Sequence, residues 1–285
     1  MTTSSTELAR SGRGLLEALR DSMSRQELFA GLYILACANG LLIKFILNWK
    51  SDGWAGIMFG TNAVVIFACF AGISRLLDDK SAKIRSIDLI VAGLVLLLTI
   101  HPIFALSWVA ITGLSLYILL FANFGEDGRR GAIILLALTV PMLWSPLLFK
   151  FFSGPILQID TALAAWLLRT DWVGNTVRFA DNSGYMVVLP YCSSLANTSL
   201  AFLCWVAVTQ WARHSWTSID VLWSFLACAS VVAVNVIRIA LIGISQYHYQ
   251  MIHNPLGDQV VNAVILSLTI GFSIIGARRE LFARI

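Results

Sequence analysis

Apolar runs without a single Asp, Glu, Lys or Arg recur along this chain, and they restrict its folding more than any motif does. Ile103–Phe121 is one of them. A helix that crosses a hydrocarbon layer of ~30 Å needs ~20 such residues. A soluble domain carries about 25% charged residues, whereas 13% of these 285 residues are charged and 58% are hydrophobic. One water-soluble core has no room for so much apolar surface, and its recurrence points to lipid-facing helices. The expected fold class is an all-α membrane protein.

Apolar runs between polar breaks give eight expected transmembrane helices, near 28–48, 54–74, 86–100, 103–122, 131–151, 195–212, 220–244 and 259–277. His101-Pro102 turns the third and fourth into a tight hairpin. Basic residues set the orientation, because cytoplasmic segments retain Lys and Arg. With an inner N-terminus, the inner segments hold Arg10, Arg13, Arg20, Arg25, Arg75, Lys80, Lys83, Arg85, Arg129, Arg130, Arg213, Arg278, Arg279 and Arg284. These are 14 of the 20 basic residues, so both termini are expected in the cytoplasm.

The long connection at 152–194 then falls on the outer face. Within it Ile156–Leu168 reads as an interfacial helix and Thr176–Val188 as a β-hairpin or irregular cap. Residues 1–27 form a polar N-terminal segment in which Leu15, Leu16, Leu19 and Met23 recur at helical spacing. That segment lacks the apolar stretch of a removable signal peptide. Residues 28–285 read as a single polytopic membrane domain. The net charge of +4 comes without a basic stripe interleaved with aromatics, which argues against nucleic-acid binding.

Four of the five cysteines, Cys37, Cys69, Cys204 and Cys228, lie inside apolar runs, where a thiol behaves as a small hydrophobe. Cys192 lies instead in Leu189-Pro190-Tyr191-Cys192-Ser193-Ser194, just before the sixth expected helix. There the unsatisfied N–H groups of a helix start favour thiolate over thiol. The plainer alternative is a packed residue beside an N-cap supplied by Ser193 or Ser194.

Arg238 lies inside the seventh helix, ~9 Å below its outer end at ~1.5 Å per residue. An intramembrane Arg calls for a partner or snorkels to the headgroups. Asn235, one turn away on the same face, favours a polar pocket. His253 lies in the following outer loop, where an imidazole exchanges protons near neutral pH, and His248 competes for that role. Asp258 either orients His253 or caps the eighth helix. Orientation alone thus brings a thiol, an imidazole and a guanidinium to one membrane face. Those are the parts that acyl transfer uses. No spacing of Cys and His suggests a disulfide framework or a metal site, and no cofactor is expected.

At these residues the chain resembles the exosortase/archaeosortase family of membrane-embedded sorting enzymes. The elements are Cys192-Ser193-Ser194, Asn235-Val236-Ile237-Arg238 and His253-Asn254-Pro255-Leu256-Gly257. The resemblance covers about residues 140–275 and treats the first four helices only as generic spans. Ser194 departs from the family's usual Gly. The resemblance implies a cysteine protease or transpeptidase in the inner (plasma) membrane, with its site on the outer (periplasmic) face. Its substrates would be exported proteins ending in a motif, a hydrophobic helix and a basic tail. Cys192 would be the nucleophile, His253 the general acid/base and Arg238 the stabiliser of substrate or oxyanion. Ser193, Ser194 and Asn235 would line the substrate-binding pocket. The alternative from another class is a non-catalytic membrane component of exopolysaccharide assembly or export.

Overall fold

The computed structural model describes residues 23–60, 63–80, 83–252 and 255–278. The expected interfacial helix around Leu15–Met23 lies almost wholly outside them, as does His253. The chain divides into two compact units, Met1–Leu136 and Ala137–Ile285.

The first unit contains helices α1 (Arg25–Gly60), α2 (Ala63–Leu77), α3 (Ser86–Ile100) and α4 (Phe104–Leu120), and most of α5 (Glu126–Thr139). The break expected at Trp49–Gly53 is absent, because α1 runs through it. Polar residues there are compatible with helix, and Gly53 alone costs only about 1 kcal/mol against Ala. The His101-Pro102 break falls as expected, between α3 and α4.

Phe29, Tyr33, Trp108, Ile111 and Leu114 are fully buried in this unit. α1 and α4 approach closely at Gly40, where an added Cβ would stand 2.9 Å from the Trp108 ring. One polar network lies among these apolar contacts. Arg25 donates to the Asp88 carboxylate at 2.8 Å, with both side chains fully buried. The same Oδ1 accepts the Tyr117 hydroxyl at 2.6 Å, and Oδ2 accepts the Arg85 N–H at 2.7 Å. Arg25 also donates to the Ala122 carbonyl and lies 4.8 Å over the Phe124 ring.

The second unit begins near the end of α5. A π-helical segment, Val140–Trp144, follows and leads into α6 (Ser145–Leu168). Pro141 cannot donate the usual helical hydrogen bond, and such a gap favours a π-bulge. α6 is broken at Phe152, which leaves helical geometry at φ −124°, ψ 26°, three residues before Pro155. Pro155 has no N–H to give and crowds the carbonyl four residues earlier. This kink falls where the sequence separates the fifth span from Ile156–Leu168.

Three short antiparallel strands follow, β1 (Trp172–Val173), β2 (Thr176–Arg178) and β3 (Tyr185–Val187), in spatial order β1-β2-β3. Gly174 takes φ +62° in the two-residue turn between β1 and β2, a value open to Gly at little cost. A 3₁₀ turn, Pro190–Cys192, then leads into α7 (Ser194–Trp211) and α8 (Ser218–Ile242). The outer loop expected next contains a short helix, α9 (Gln246–Ile252), before α10 (Pro255–Gly276).

α7, α8 and α10 meet at Ala201, Val231 and Ile265. A second cluster joins Leu157, Ala164 and Ala165 of α6 to Val177 and Met186 of the sheet and Ile239 and Ile242 of α8. The loop after β2 is fastened to the end of α8, where the Ala180 and Asp181 N–H groups donate to the Gly243 and Ile244 carbonyls at 3.0 and 3.2 Å. The Gly243 carbonyl, at the C-cap of α8, belongs to the unsatisfied set every helix end leaves.

Among the described residues, four segments are long and apolar enough to cross a membrane: Arg25–Leu47, Glu126–Leu168, Ser218–Ile242 and Gln259–Gly276. Ala63–Leu77, Ser86–Ile100 and Phe104–Leu120 are shorter apolar helices. Large apolar side chains stand exposed along them, among them Phe70, Ile100, Leu120 and Phe151. Exposure on this scale suits lipid and not water.

Replacing Asp88 by Ala strands the buried Arg25 charge. The expected loss is about 3–5 kcal/mol, read as a large fall in the unfolding temperature of purified protein in detergent. Tyr117→Phe removes one hydrogen bond and is expected to cost only about 1 kcal/mol.

Candidate functional site

The site is built around the first turn of α7. Pro190 opens the 3₁₀ turn, whose fixed φ suits a helix start. That turn ends at Cys192, whose N–H donates to the Leu189 carbonyl at 2.8 Å. Its carbonyl accepts the Asn235 side-chain amide at 2.7 Å. Both main-chain groups of Cys192 are therefore held, and its half-buried side chain lines a pocket of about 20 Å³ with Met186, Val187, Val188, Ile239, Ile242 and Tyr249. A volume of that order admits about one water.

Ser193 is the N-cap of α7, its hydroxyl accepting the Leu195 N–H at 3.3 Å. Ser194 opens the helix. Its N–H and hydroxyl both donate to the Asp160 carboxylate, at 2.8 and 2.6 Å. The Ser194 oxygen in turn accepts a second bond from Asn235 at 3.0 Å. Asn235 and Asp160 are 1% and 3% exposed, so neither is satisfied by bulk water. A chain of contacts, Asp160–Ser194–Asn235–Cys192, thus joins α6, α7, α8 and the 3₁₀ turn.

This chain revises one expectation. The two leading N–H groups of α7 go to Asp160 and Ser193 rather than to the thiol. The helix start holds the backbone around Cys192, and its first donors are already engaged.

Of the residues singled out from sequence, Cys192, Ser193, Ser194 and Asn235 come together directly. Arg238 is half-buried one turn beyond Asn235 on α8, and the next residue, Ile239, lines the Cys192 pocket. His253 lies outside the described residues. His248 is on α9, with its Nδ1 2.8 Å from the Ser245 hydroxyl. Nearby, hydrogen bonds from Ser183, with a smaller contribution from His248, hold the Asp181 carboxyl below the usual carboxylate range.

Asp160 is the residue that sequence reasoning missed. Its signal was present, since it is the only charge within Ile156–Leu168, and a lone ionisable residue in an apolar helix calls for a partner. Among the described residues, no cluster of three His, Cys, Asp or Glu is placed to hold a metal. The chain matches no protein-family model, no curated protein and no solved structure.

Because Asp160 and Ser194 share two hydrogen bonds, their substitutions are expected to be non-additive. Asp160→Ala and Ser194→Ala should each destabilise the protein. The double variant should lose less than the sum by about 1–3 kcal/mol, measured as a double-mutant cycle on detergent unfolding. Strict additivity would show that the pair is not coupled.

Proposed function

We propose that this protein is a membrane-embedded cysteine protease or transpeptidase, resembling exosortases, that cuts exported proteins at a C-terminal sorting signal. One observation carries the reading. The Asn235 amide bonds to both the Cys192 carbonyl and Ser194, so two elements of the resemblance, far apart in sequence, meet in one site. The proposal retains eight spans, cytoplasmic termini and a site on the outer (periplasmic) face of the inner membrane. It rests there on the distribution of basic residues.

In the proposed chemistry the Cys192 thiolate attacks the scissile carbonyl carbon, and the C=O electron pair becomes an oxyanion. Arg238, one turn from Asn235, would stabilise that charge with its planar guanidinium. Collapse of the intermediate breaks the C–N bond. His253 would give its proton to the departing amine, leaving a thioester on Cys192. Water or an acceptor amine then attacks the thioester and restores the thiol. A substrate with its own transmembrane helix meets such a site at the membrane surface without leaving the bilayer.

The alternative, a non-catalytic component of exopolysaccharide assembly or export, also has an observation in its favour. Cys192 packs against the apolar cluster of α6, the sheet and α8, as a purely structural thiol would.

Co-expression with an exported substrate carrying motif, helix and basic tail distinguishes the two. Cys192→Ala should abolish maturation while the protein stays in the membrane, and Cys192→Ser should be nearly as inert. Arg238→Lys should fail, because an ammonium keeps the charge and loses the fork. His253→Ala should slow processing by about 10²-fold or more, and His248→Ala only mildly. Undiminished maturation by Cys192→Ala, followed by immunoblot, would leave the scaffold reading in its place.

A further inference from the structure

The sheet offers a docking edge beside the Cys192 pocket. β2 and β3 pair in the register Thr176↔Val187, Val177↔Met186, Arg178↔Tyr185. Just beyond the paired residues, the Val188 N–H donates to the Asn175 carbonyl at 2.8 Å and the Phe179 N–H to the Gly184 carbonyl at 3.0 Å. Hydrogen-bonded and non-hydrogen-bonded pairs alternate along an antiparallel ladder. Met186 therefore turns its main-chain groups toward β2, while Tyr185 and Val187 turn theirs to the opposite edge. β3 is the last strand on that side. Among the described residues, no main-chain hydrogen bond reaches the outward groups of Tyr185 or Val187.

A bare strand edge is a template for another strand, and folded proteins usually cover or blunt it. β3 is short, at three residues, but among the described residues no main chain pairs with its edge. The edge carries no Pro and no Lys, and the Tyr185 and Val187 side chains stand 70% and 49% exposed. Met186, Val187 and Val188 also line the pocket that holds Cys192. The opposite edge of the sheet, β1, contributes nothing to that pocket. An extended segment laid along β3 would thus run beside the thiol, held by main-chain bonds that do not depend on its side chains.

We propose that the free edge of β3 is the substrate-docking strand, taking an extended peptide by strand addition and presenting one of its carbonyls to Cys192. This rests on the protease reading for its biological meaning, but its test needs no turnover.

The probe is acetyl-tetraalanyl chloromethyl ketone, compared with chloroacetone, which carries the same reactive group and no peptide. In both, the thiolate displaces chloride from the chloromethyl carbon as the C–S bond forms, and mass spectrometry of the full-length protein reports Cys192 alkylation. The wild-type rate for the peptide reagent should exceed that for chloroacetone by about tenfold or more, the size expected from a few main-chain hydrogen bonds. N-methylation at alternate alanines should then behave with a parity: one pattern abolishes the advantage and the other preserves it, because only alternate amides face a strand. Tyr185→Pro removes an edge-facing N–H while sparing the ladder to β2, and should abolish the advantage with chloroacetone labelling unchanged, since Tyr185 does not line the Cys192 pocket. Tyr185→Ala should keep it.

Equal rates for peptide and chloroacetone, or equal effects of the two methylation patterns on wild-type protein, overturn the docking edge, and neither result depends on how the variants fold. Failure of the protease reading appears elsewhere, as maturation that survives Cys192→Ala.

Discussion

A buried amide with two acceptors holds one end of the second unit together. Asn235 reaches from the middle of α8 to the carbonyl of Cys192 and to the hydroxyl of Ser194. In surroundings this apolar, a primary amide without partners costs a kilocalorie per mole or more, roughly the desolvation of each unmade bond. The arrangement that satisfies it fixes the 3₁₀ turn against the helix behind it. Asp160 extends the same constraint to α6, since its carboxylate accepts both donors of Ser194. Three helices and one turn are thereby registered at a single level. The apolar cluster beside it, from Leu157 to Ile242, packs the same elements together without directionality.

The first unit obeys the same rule with charges in place of amides. Arg25 and Asp88 are both fully buried, and such a pair contributes little net stability over a packed apolar substitute. Its consequence is specificity: Asp88 also holds Tyr117 and the Arg85 N–H, which ties the start of α3 to α4 and α1. Sliding any of these helices by one residue would part a buried charge from its partner. Apolar surfaces alone would tolerate such a slip.

What was legible from sequence divides along this line. Helices α3, α4, α7 and α8 begin and end within about two residues of the expected positions, because each is bounded by Pro, Gly or charged residues that cannot remain in an apolar run. The kink at Phe152 was legible for the same reason, through Pro155. The continuation of α1 through Trp49–Gly53 as far as Gly60 was not, since those residues are compatible with helix, and the rest of the second expected span forms α2. At the site, Cys192, Ser193, Ser194 and Asn235 were found from their neighbours and their place on the helices. Asp160 stood out as a lone charge in an apolar helix, but its partner lies 34 residues away, and local sequence carries no record of so distant a contact. The first strand, β1, and the short helix α9 were silent, being too brief for a periodic pattern to develop, whereas the pairing of β2 with β3 falls within the hairpin read at Thr176–Val188.

The departure at Ser194 acquires a physical meaning from that distant contact. A hydroxyl placed at the first position of a buried helix needs an acceptor, and the Asp160 carboxylate provides one at 2.6 Å. Ser194 and Asp160 are thus a matched pair, and Gly at this position would leave the buried carboxylate with one donor fewer. The pair also alters how a thiol here is to be activated. The Asp160 side chain already occupies the start of α7, and the leading N–H groups are engaged. Under the protease reading the helix end therefore acts as a scaffold for the turn. The cation and the proton acceptor proposed for Cys192, Arg238 and His253, belong to α8 and the segment that follows it, and Ile239 and Ile242 of α8 line the Cys192 pocket.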